Sequence, residues 1–351
     1  MTPGAPPGAP DSNGMWDAAF GLAEQVTAGA ATAAAVAATM APADRVTAIL
    51  GLGMGGSGIG NDVVAAVAGP VLSVPVLISK DYDLPAFVGP STLVFAASFS
   101  GNTEETLTAT AAALERGARV VAVTGGGKLA ELASAAGAPV IPLPEGIPHP
   151  RAAIGAMTVA PLMVLRHLGM LDGAAGWVTA AAEQLGRRRD QLIAGGDSSV
   201  AADVARKIGR TIPLIYGGGP LGQAAAQRWK CQVNENPKSP AFAGTMPELC
   251  HNELTGWGQM GDVTRQLITV VDLRHDFEHP RLARRFELVD EIMDEVVAGI
   301  VDVRAEGTGA LAQLFDLVLI GDIVALTLAA REGIDPGPIP VLEDLKVALS
   351  R

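Results

Sequence analysis

Hydrophobic and polar positions along this chain fall into two rhythms. Short, nearly unbroken apolar runs rich in Val, Ile and Leu occupy 46–52, 74–79, 93–97, 119–123 and Val140–Pro142, and Ala-rich stretches separate them. Strands covered on both faces read as such runs, and their alternation with helical stretches predicts a parallel sheet with crossover helices. Gly, Asn, Asp or Ser follows most of the runs and marks a turn into the next element. The stretch 171–196 is helical and partly polar, as a connection between domains would be. A second series then predicts strands at 212–216, 267–272 and 299–303, with helices at 220–231, 280–297 and Ala310–Arg331. A last amphipathic helix spans Pro340–Leu349, with Pro in its first turn.

This pattern predicts an α/β fold of two doubly wound domains with mainly parallel sheets. The 351 residues are too many for one ordinary domain and enough for two. The expected division is a tail at 1–14, a first domain at 15–170, a connecting segment at 171–198, and a second domain at 199–351. The tail, MTPGAPPGAPDSNG, has neither a basic stretch nor an apolar one, so its composition predicts disorder rather than a signal peptide. The most apolar stretch, 314–330, is interrupted by Asp316, Gly321 and Asp322, which predicts a buried core helix rather than a membrane span.

Charge narrows the partners. A net charge of −12 argues against nucleic acid and anionic membranes, but an acidic chain can still hold a phosphate with backbone amides and a few local cations. Cys231 and Cys250 are the only cysteines, which leaves no disulfide framework and no four-cysteine zinc site. They suit reduced thiols in a cytoplasmic protein. The 49% hydrophobic content leaves room for an oligomer interface.

Two loops carry the first candidate chemistry. ILGLGMGGSGIG at Ile49–Gly60 is a strand, a Gly-rich turn and a helix start, and LIYGGGPLG at Leu214–Gly222 repeats that order. Gly51, Gly53 and Gly56 nominally satisfy a dinucleotide pattern, which alone says little. The run 93–97 is followed by SFSGNTEET, with Ser98, Ser100 and Thr103 ahead of another helix. Three hydroxyls and a set of backbone amides at the carboxyl ends of neighbouring strands can ring a phosphate monoester without a cluster of Lys or Arg. The bland alternative is a pair of ordinary helix caps.

GMGGSGIG and SFSGNTEET together resemble the sugar-isomerase (SIS) domain that binds phosphosugars. The resemblance implies that Gly55, Gly56, Ser57, Ser98, Ser100 and Thr103 hold the sugar phosphate.

Moving a proton between C1 and C2 of a sugar phosphate needs a base, help with ring opening, and a group that stabilises an enediolate. The polar, Pro-interrupted segment 232–257 offers Glu235, Lys238, Glu248, His251 and Glu253, and suits a site loop better than a core element. Solvated loop residues would read the same way. N-E-N-x-K followed by H-N-E is similar to the bifunctional phosphoglucose/phosphomannose isomerases, from about residue 46 to the C-terminus. That resemblance implies Glu235 as the proton-transferring base, His251 and Lys346 as aids to ring opening, and Arg151 as the holder of the enediolate. It also implies a homodimer with shared sites and no metal or other cofactor. Read without the family, Lys346 is a surface helix residue. Arg151 lies at a helix start, which disfavours cations and so gives it an independent claim to function. His275 and His279 are four residues apart, but Pro280 follows and no third ligand is evident, so both read as solvated residues near a helix start.

The implied activity is interconversion of glucose 6-phosphate, and of mannose 6-phosphate, with fructose 6-phosphate through a cis-enediol. In the family a small Thr near the C-terminal Lys accompanies use of the mannose epimer. Between Asp335 and Lys346 this chain has neither Thr nor Ser, and Gly337 is expected to leave at least as much room. A non-catalytic sugar-phosphate-binding regulator would keep both loops and lose the base. A nicotinamide oxidoreductase would use the first glycines with Asp81 or Asp83, and leaves the Ser98–Thr103 loop unexplained. An amidotransferase would need a glutaminase domain that this sequence lacks.

Overall fold

The computed structural model describes residues 4–42 and 45–349. Helices α1 (Met15–Phe20) and α2 (Leu22–Ala37) precede β1 (Ala48–Leu52), α3 (Gly55–Ala68), β2 (Val76–Ser79) and β3 (Thr92–Ser98). Next come α4 (Glu104–Glu115), β4 (Arg119–Thr124), α5 (Gly127–Ala135) and β5 (Val140–Pro142). A 3-10 turn at Pro150–Ala153 leads into α6 (Ile154–His167) and α7 (Ala174–Gly195). The chain continues through α8 (Val200–Ile208), β6 (Ile212–Gly218), α9 (Gly219–Glu235), β7 (Phe242–Met246) and α10 (Gly261–Leu267). It ends with β8 (Ile268–Arg274), α11 (Pro280–Met293), β9 (Gly299–Arg304), α12 (Ala310–Arg331) and α13 (Pro340–Leu349).

The strands form two wholly parallel sheets, as the apolar runs predict, in the orders β2-β1-β3-β4-β5 and β7-β6-β8-β9. Strand order reverses beside β1 in the first sheet and beside β6 in the second. These are the two strands that carry the repeated Gly-rich turns. A reversal opens a crevice at the carboxyl ends of the flanking strands, which is where open α/β sheets bind ligands.

Each sheet has its own core. On one face of the first, Leu50, Leu52, Val94, Ala96, Val120 and Ala122 meet Ala109, Ala113, Leu129 and Ala133 of α4 and α5. In the second, Leu214, Tyr216 and Val270 meet Phe286, Val289 and Met293 of α11. Helix α12 is long and apolar enough to cross a membrane, yet 94% of its most apolar window is buried within the protein, in line with a core helix.

Two compact units result, and neither is a single stretch of chain. One comprises Gly21–Arg187 with Glu306–Asp316 and holds the first sheet. The other comprises the described residues of Met1–Phe20, Arg188–Ala305 and Leu317–Arg351 and holds the second. The boundaries expected at 14, 170 and 198 differ from these crossings, and α7 contributes residues to both units instead of standing outside them as a connector.

Residues 4–14 differ from the disorder expected of them. Asp11 accepts from the amides of Met15 (2.7 Å) and Trp16 (3.1 Å), so it satisfies the first donors of α1. The Ser12 amide donates to the Asp335 carboxylate. The segment 232–257 also has more order than a polar loop. Residues 232–235 close α9, β7 is an edge strand on β6, and 3-10 turns follow at Glu248–His251 and Glu253–Gly256. An edge strand with exposed Phe242, flanked by Pro240 and Pro247, lacks the apolar run that reveals the other strands.

Candidate active site

The first unit gathers the expected phosphate-binding residues around its strand-order reversal. After β1 the chain turns through Gly53 and Met54 into α3, with Gly55 in the left-handed region at φ 50°. After β3, buried Ser98 ends the strand, and its Oγ lies 2.8 Å from Thr103 Oγ1 across the turn. The two loops are tied together where the Phe99 amide donates to Ser57 Oγ at 3.0 Å. Ser100 Oγ accepts from the Asn102 amide at 3.2 Å, which sets the turn between the first and last hydroxyls.

The capping alternative weakens here. Thr103 occupies the N-cap position of α4, but its side chain makes no capping hydrogen bond, and Met54 at the start of α3 makes none either. Both helices therefore begin with amide groups that no capping side chain satisfies, beside Ser57 and Ser100, whose hydroxyls accept from backbone amides and keep a proton to donate to an anion.

Arg151 approaches the same loops through its backbone. A Cβ on Gly56 would lie 2.7 Å from the Arg151 nitrogen and from the Pro150 carbonyl, so only glycine lets α3 come this close to the Pro150–Ala153 turn. The turn is held from behind by Gln25, which is buried. Its Nε2 donates to the Ala152 carbonyl (2.7 Å), and its Oε1 accepts from the Ala156 amide (3.1 Å). Arg151 itself is only 2% exposed. A cation so enclosed has a function or a fixed partner. Gln25 was not legible as a site residue, because its partners lie 127 and 131 residues away.

The second unit holds the other candidates on three separate elements. Glu235 is the last residue of α9 and is half-buried. The loop after it folds back on itself, with Asn234 Nδ2 donating to the Ser239 carbonyl at 3.0 Å. His251 closes the turn Glu248–His251 and is exposed. Asn252 organises the turns around it: Nδ2 donates to Glu248 Oε1 (2.9 Å), while Oδ1 accepts from the Glu253 amide (2.6 Å). The Tyr216 hydroxyl donates to Glu253 Oε1. Burial and this hydrogen bond push the Tyr216 phenol up from its ordinary value, so it remains a donor. Lys346 lies on α13, no residue of which is buried.

The strand-order reversal of the second sheet is closed by its own side chains. His275 is 8% exposed, not solvated as expected; its Nε2–H donates to the Gly218 carbonyl (2.9 Å), and its Nδ1 accepts from the Phe277 amide (3.2 Å). Those partners fix one neutral tautomer, and burial pushes its pKa down. Arg274 Nη2 pairs with Glu278 Oε2 at 2.8 Å and stacks over Phe286. His279 caps α11, its Nδ1 accepting from the Arg281 amide at 3.1 Å. The repeated Gly-rich turn of the second unit is thus packed against His275.

Comparison with known proteins bears on this arrangement. Residues 197–349 match the bacterial phospho-glucose isomerase C-terminal SIS domain family. A bifunctional phosphoglucose/phosphomannose isomerase of Caldicellulosiruptor bescii is 33% identical over 338 residues, covering 96% of this chain and 99% of that one. A protein of the same name from Aquifex aeolicus is 33% identical over 300 residues, covering 85% and 89%. Among solved structures, the tagatose-6-phosphate ketose/aldose isomerase of Escherichia coli aligns with a TM-score of 0.70 at 17% identity, over 93% of this chain and 94% of that one. That likeness concerns the fold alone.

Proposed function

The chain belongs to the bifunctional phosphoglucose/phosphomannose isomerase family, and from that premise we propose how its residues carry the reaction. It is a sugar-phosphate isomerase that interconverts glucose 6-phosphate and mannose 6-phosphate with fructose 6-phosphate. The observation that carries the assignment of its phosphate site is the uncapped pair of helix starts beside Ser57, Ser98, Ser100 and Thr103, at the strand-order reversal of the first sheet. Gly55 and Gly56 bring backbone amides to the phosphate, and the hydroxyls donate to its oxygens.

Glu235 is the base in this reading. It takes the proton from C2 of the open-chain aldose and returns it to C1 through a cis-enediol. His251 and Lys346 assist ring opening, and the buried cation Arg151 stabilises the enediolate oxygen. One enediol serves both epimers, because rotation about C2–C3 presents its other face to the same carboxylate. The basis for epimer tolerance is not open space at position 337. A Cβ on Gly337 would lie 2.7 Å from Asn13 Oδ1, so that position is occupied by the N-terminal segment.

The assembly we infer is a homodimer. On α13, Val341, Leu345 and Leu349 share one face and are each more than half exposed, and an apolar helix face of this kind is stabilised by a covering surface. A second copy would cover it, and His251 of one chain would serve Glu235 of the other. A cytoplasmic setting fits the substrate, because charged sugar phosphates do not cross membranes unaided. The reaction is tested by supplying fructose 6-phosphate to the purified protein, with and without a chelator, and following both aldoses by NMR. Both should accumulate in either condition. Neither product would favour a non-catalytic sugar-phosphate-binding protein, and loss of turnover with chelator would overturn the metal-free reading.

A further inference from the structure

We infer that Lys238, the last residue of N-E-N-x-K, is a positioning residue for the base rather than a group that meets substrate. The inference rests on reading Glu235 as that base. Lys238 stands at φ 57°, the one non-glycine residue in the left-handed region among the described residues. A residue with a Cβ adopts this conformation at a cost, so surrounding contacts must hold it there.

Those contacts belong to its ammonium group. Nζ donates to the carbonyls of Glu235 (2.8 Å) and Asn236 (3.2 Å), and to those of Asp335 (3.0 Å) and Pro336 (3.2 Å). The first pair are the carbonyls of the last residue of α9 and of the residue that caps it, which have no partner within the helix, and a cation is favoured at that end of the helix dipole. The second pair lie in the turn that runs into α13, which bears Lys346. That turn is fixed in its own right: Asp335 accepts from the amides of Ser12 and Gly337. Three N–H groups facing four carbonyls leave the ammonium committed to the main chain. Lys238 thus joins the backbone of Glu235 to the segment leading to Lys346, another catalytic candidate of the same unit.

Lys238 is an exposed residue, yet a lysine that met only water would need neither the strained backbone nor four converging carbonyls. The bond to the Glu235 carbonyl limits movement of the main chain from which the carboxylate extends. A displacement near 1 Å can slow a positioned reaction about 100-fold.

The test compares K238M, which keeps the side-chain length, with K238G, which removes the backbone strain, in the full chain. E235Q and thermal melting serve as controls. Both variants should lose kcat by about 10- to 100-fold with KM for fructose 6-phosphate within about threefold. The primary isotope effect on kcat with glucose 6-phosphate deuterated at C2 should rise, because the misplaced base makes proton transfer slower relative to the other steps. A change that only unfolds part of the sample leaves that isotope effect unmoved. Should K238M fail to fold, K238G carries the same measurements. Wild-type kcat in the folded variants, or a loss confined to KM with an unchanged isotope effect, overturns the inference. If E235Q is inactive while K238M and K238G turn over normally, only the role of Lys238 falls. An active E235Q removes the base assignment, and this inference with it.

Discussion

Arg228 and Asp322 form a two-pronged ion pair between α9 and α12, with Nε to Oδ1 at 3.0 Å and Nη2 to Oδ2 at 2.6 Å, and both residues are buried. Beside it the Trp229 indole donates to the Leu317 carbonyl at 2.7 Å. These bonds anchor the helix whose last residue is Glu235. D322A should destabilise the protein by about 3–5 kcal/mol, because it leaves a buried guanidinium unpaired. An R228M/D322L double variant should recover most of that loss. Thermal melting checks both, and an unchanged Tm in D322A would show the pair to be dispensable.

E235Q should abolish turnover while retaining fold and sugar-phosphate binding. It keeps the shape of the side chain and removes the base, and general base catalysis contributes roughly 10²–10⁴-fold. Mixing E235Q chains with H251A chains, each inactive alone, should restore part of the activity through mixed dimers. Wild-type kcat in E235Q would exclude Glu235 from the mechanism; a monomer in sedimentation, or no rescue on mixing, would exclude shared sites.

Ser98 and Thr103 should separate binding from stability. Their hydroxyls bond each other, so removing both leaves no orphaned partner of that bond and should cost little in Tm. The same S98A/T103A variant should bind phosphorylated sugars less well, by roughly 1.5–3 kcal/mol for each lost hydrogen bond to the charged phosphate. A raised KM at unchanged Tm is the expected result. Wild-type KM would place the phosphate elsewhere.

Asp272 should make stability fall as pH rises. It lies in β8 opposite Asp302 of β9, is 1% exposed, and neither of its carboxylate oxygens receives an N–H or hydroxyl donor. Burial, with the neighbouring Asp290 carboxyl adding to it, pushes its pKa from the ordinary 3.8 to about 9. Burial raises Asp290 as well, so the pair favours holding a proton. A folded-state pKa above the unfolded one means that the contribution is full below about 3.8 and is lost progressively as pH rises toward about 9. Chemical denaturation between pH 5 and 9 should show this decline in the wild type and a flatter profile in D272N. Identical profiles would refute the shared proton.

The sequence revealed what depends on local pattern. The doubly covered strands were legible because both of their faces are apolar; even β5, only three residues long, has the expected bounds. Both hydroxyl-bearing loops were legible because Gly and Ser/Thr cluster at strand ends. What escaped depends on distant partners or weak pattern. Strand β7 has exposed faces, and α9 runs to Glu235 rather than stopping near residue 231, which makes the proposed base a helix terminus and not a loop residue. His275 looked solvated because nothing near it in sequence shows that the Gly218 carbonyl will cover it. Tyr216 left a clue that could have been used. It is one of two tyrosines in the chain and sits within an apolar strand, where a phenol must find an acceptor.

The interleaved make-up of the two units has a consequence for synthesis. Asp316 accepts from Gln184 Nε2 and from the Glu306 amide, both at 2.8 Å, so the unit with the first sheet is completed by residues far from the rest of it in the chain. A ribosome must make residues 188–305 before that closing segment exists. At roughly 5–20 residues per second the wait is on the order of ten seconds, with the first sheet made but its last buried partners missing. Until then the N-terminal half lacks the carboxylate that holds Gln184, and a fragment ending at Arg187 should melt at a lower temperature than the full chain.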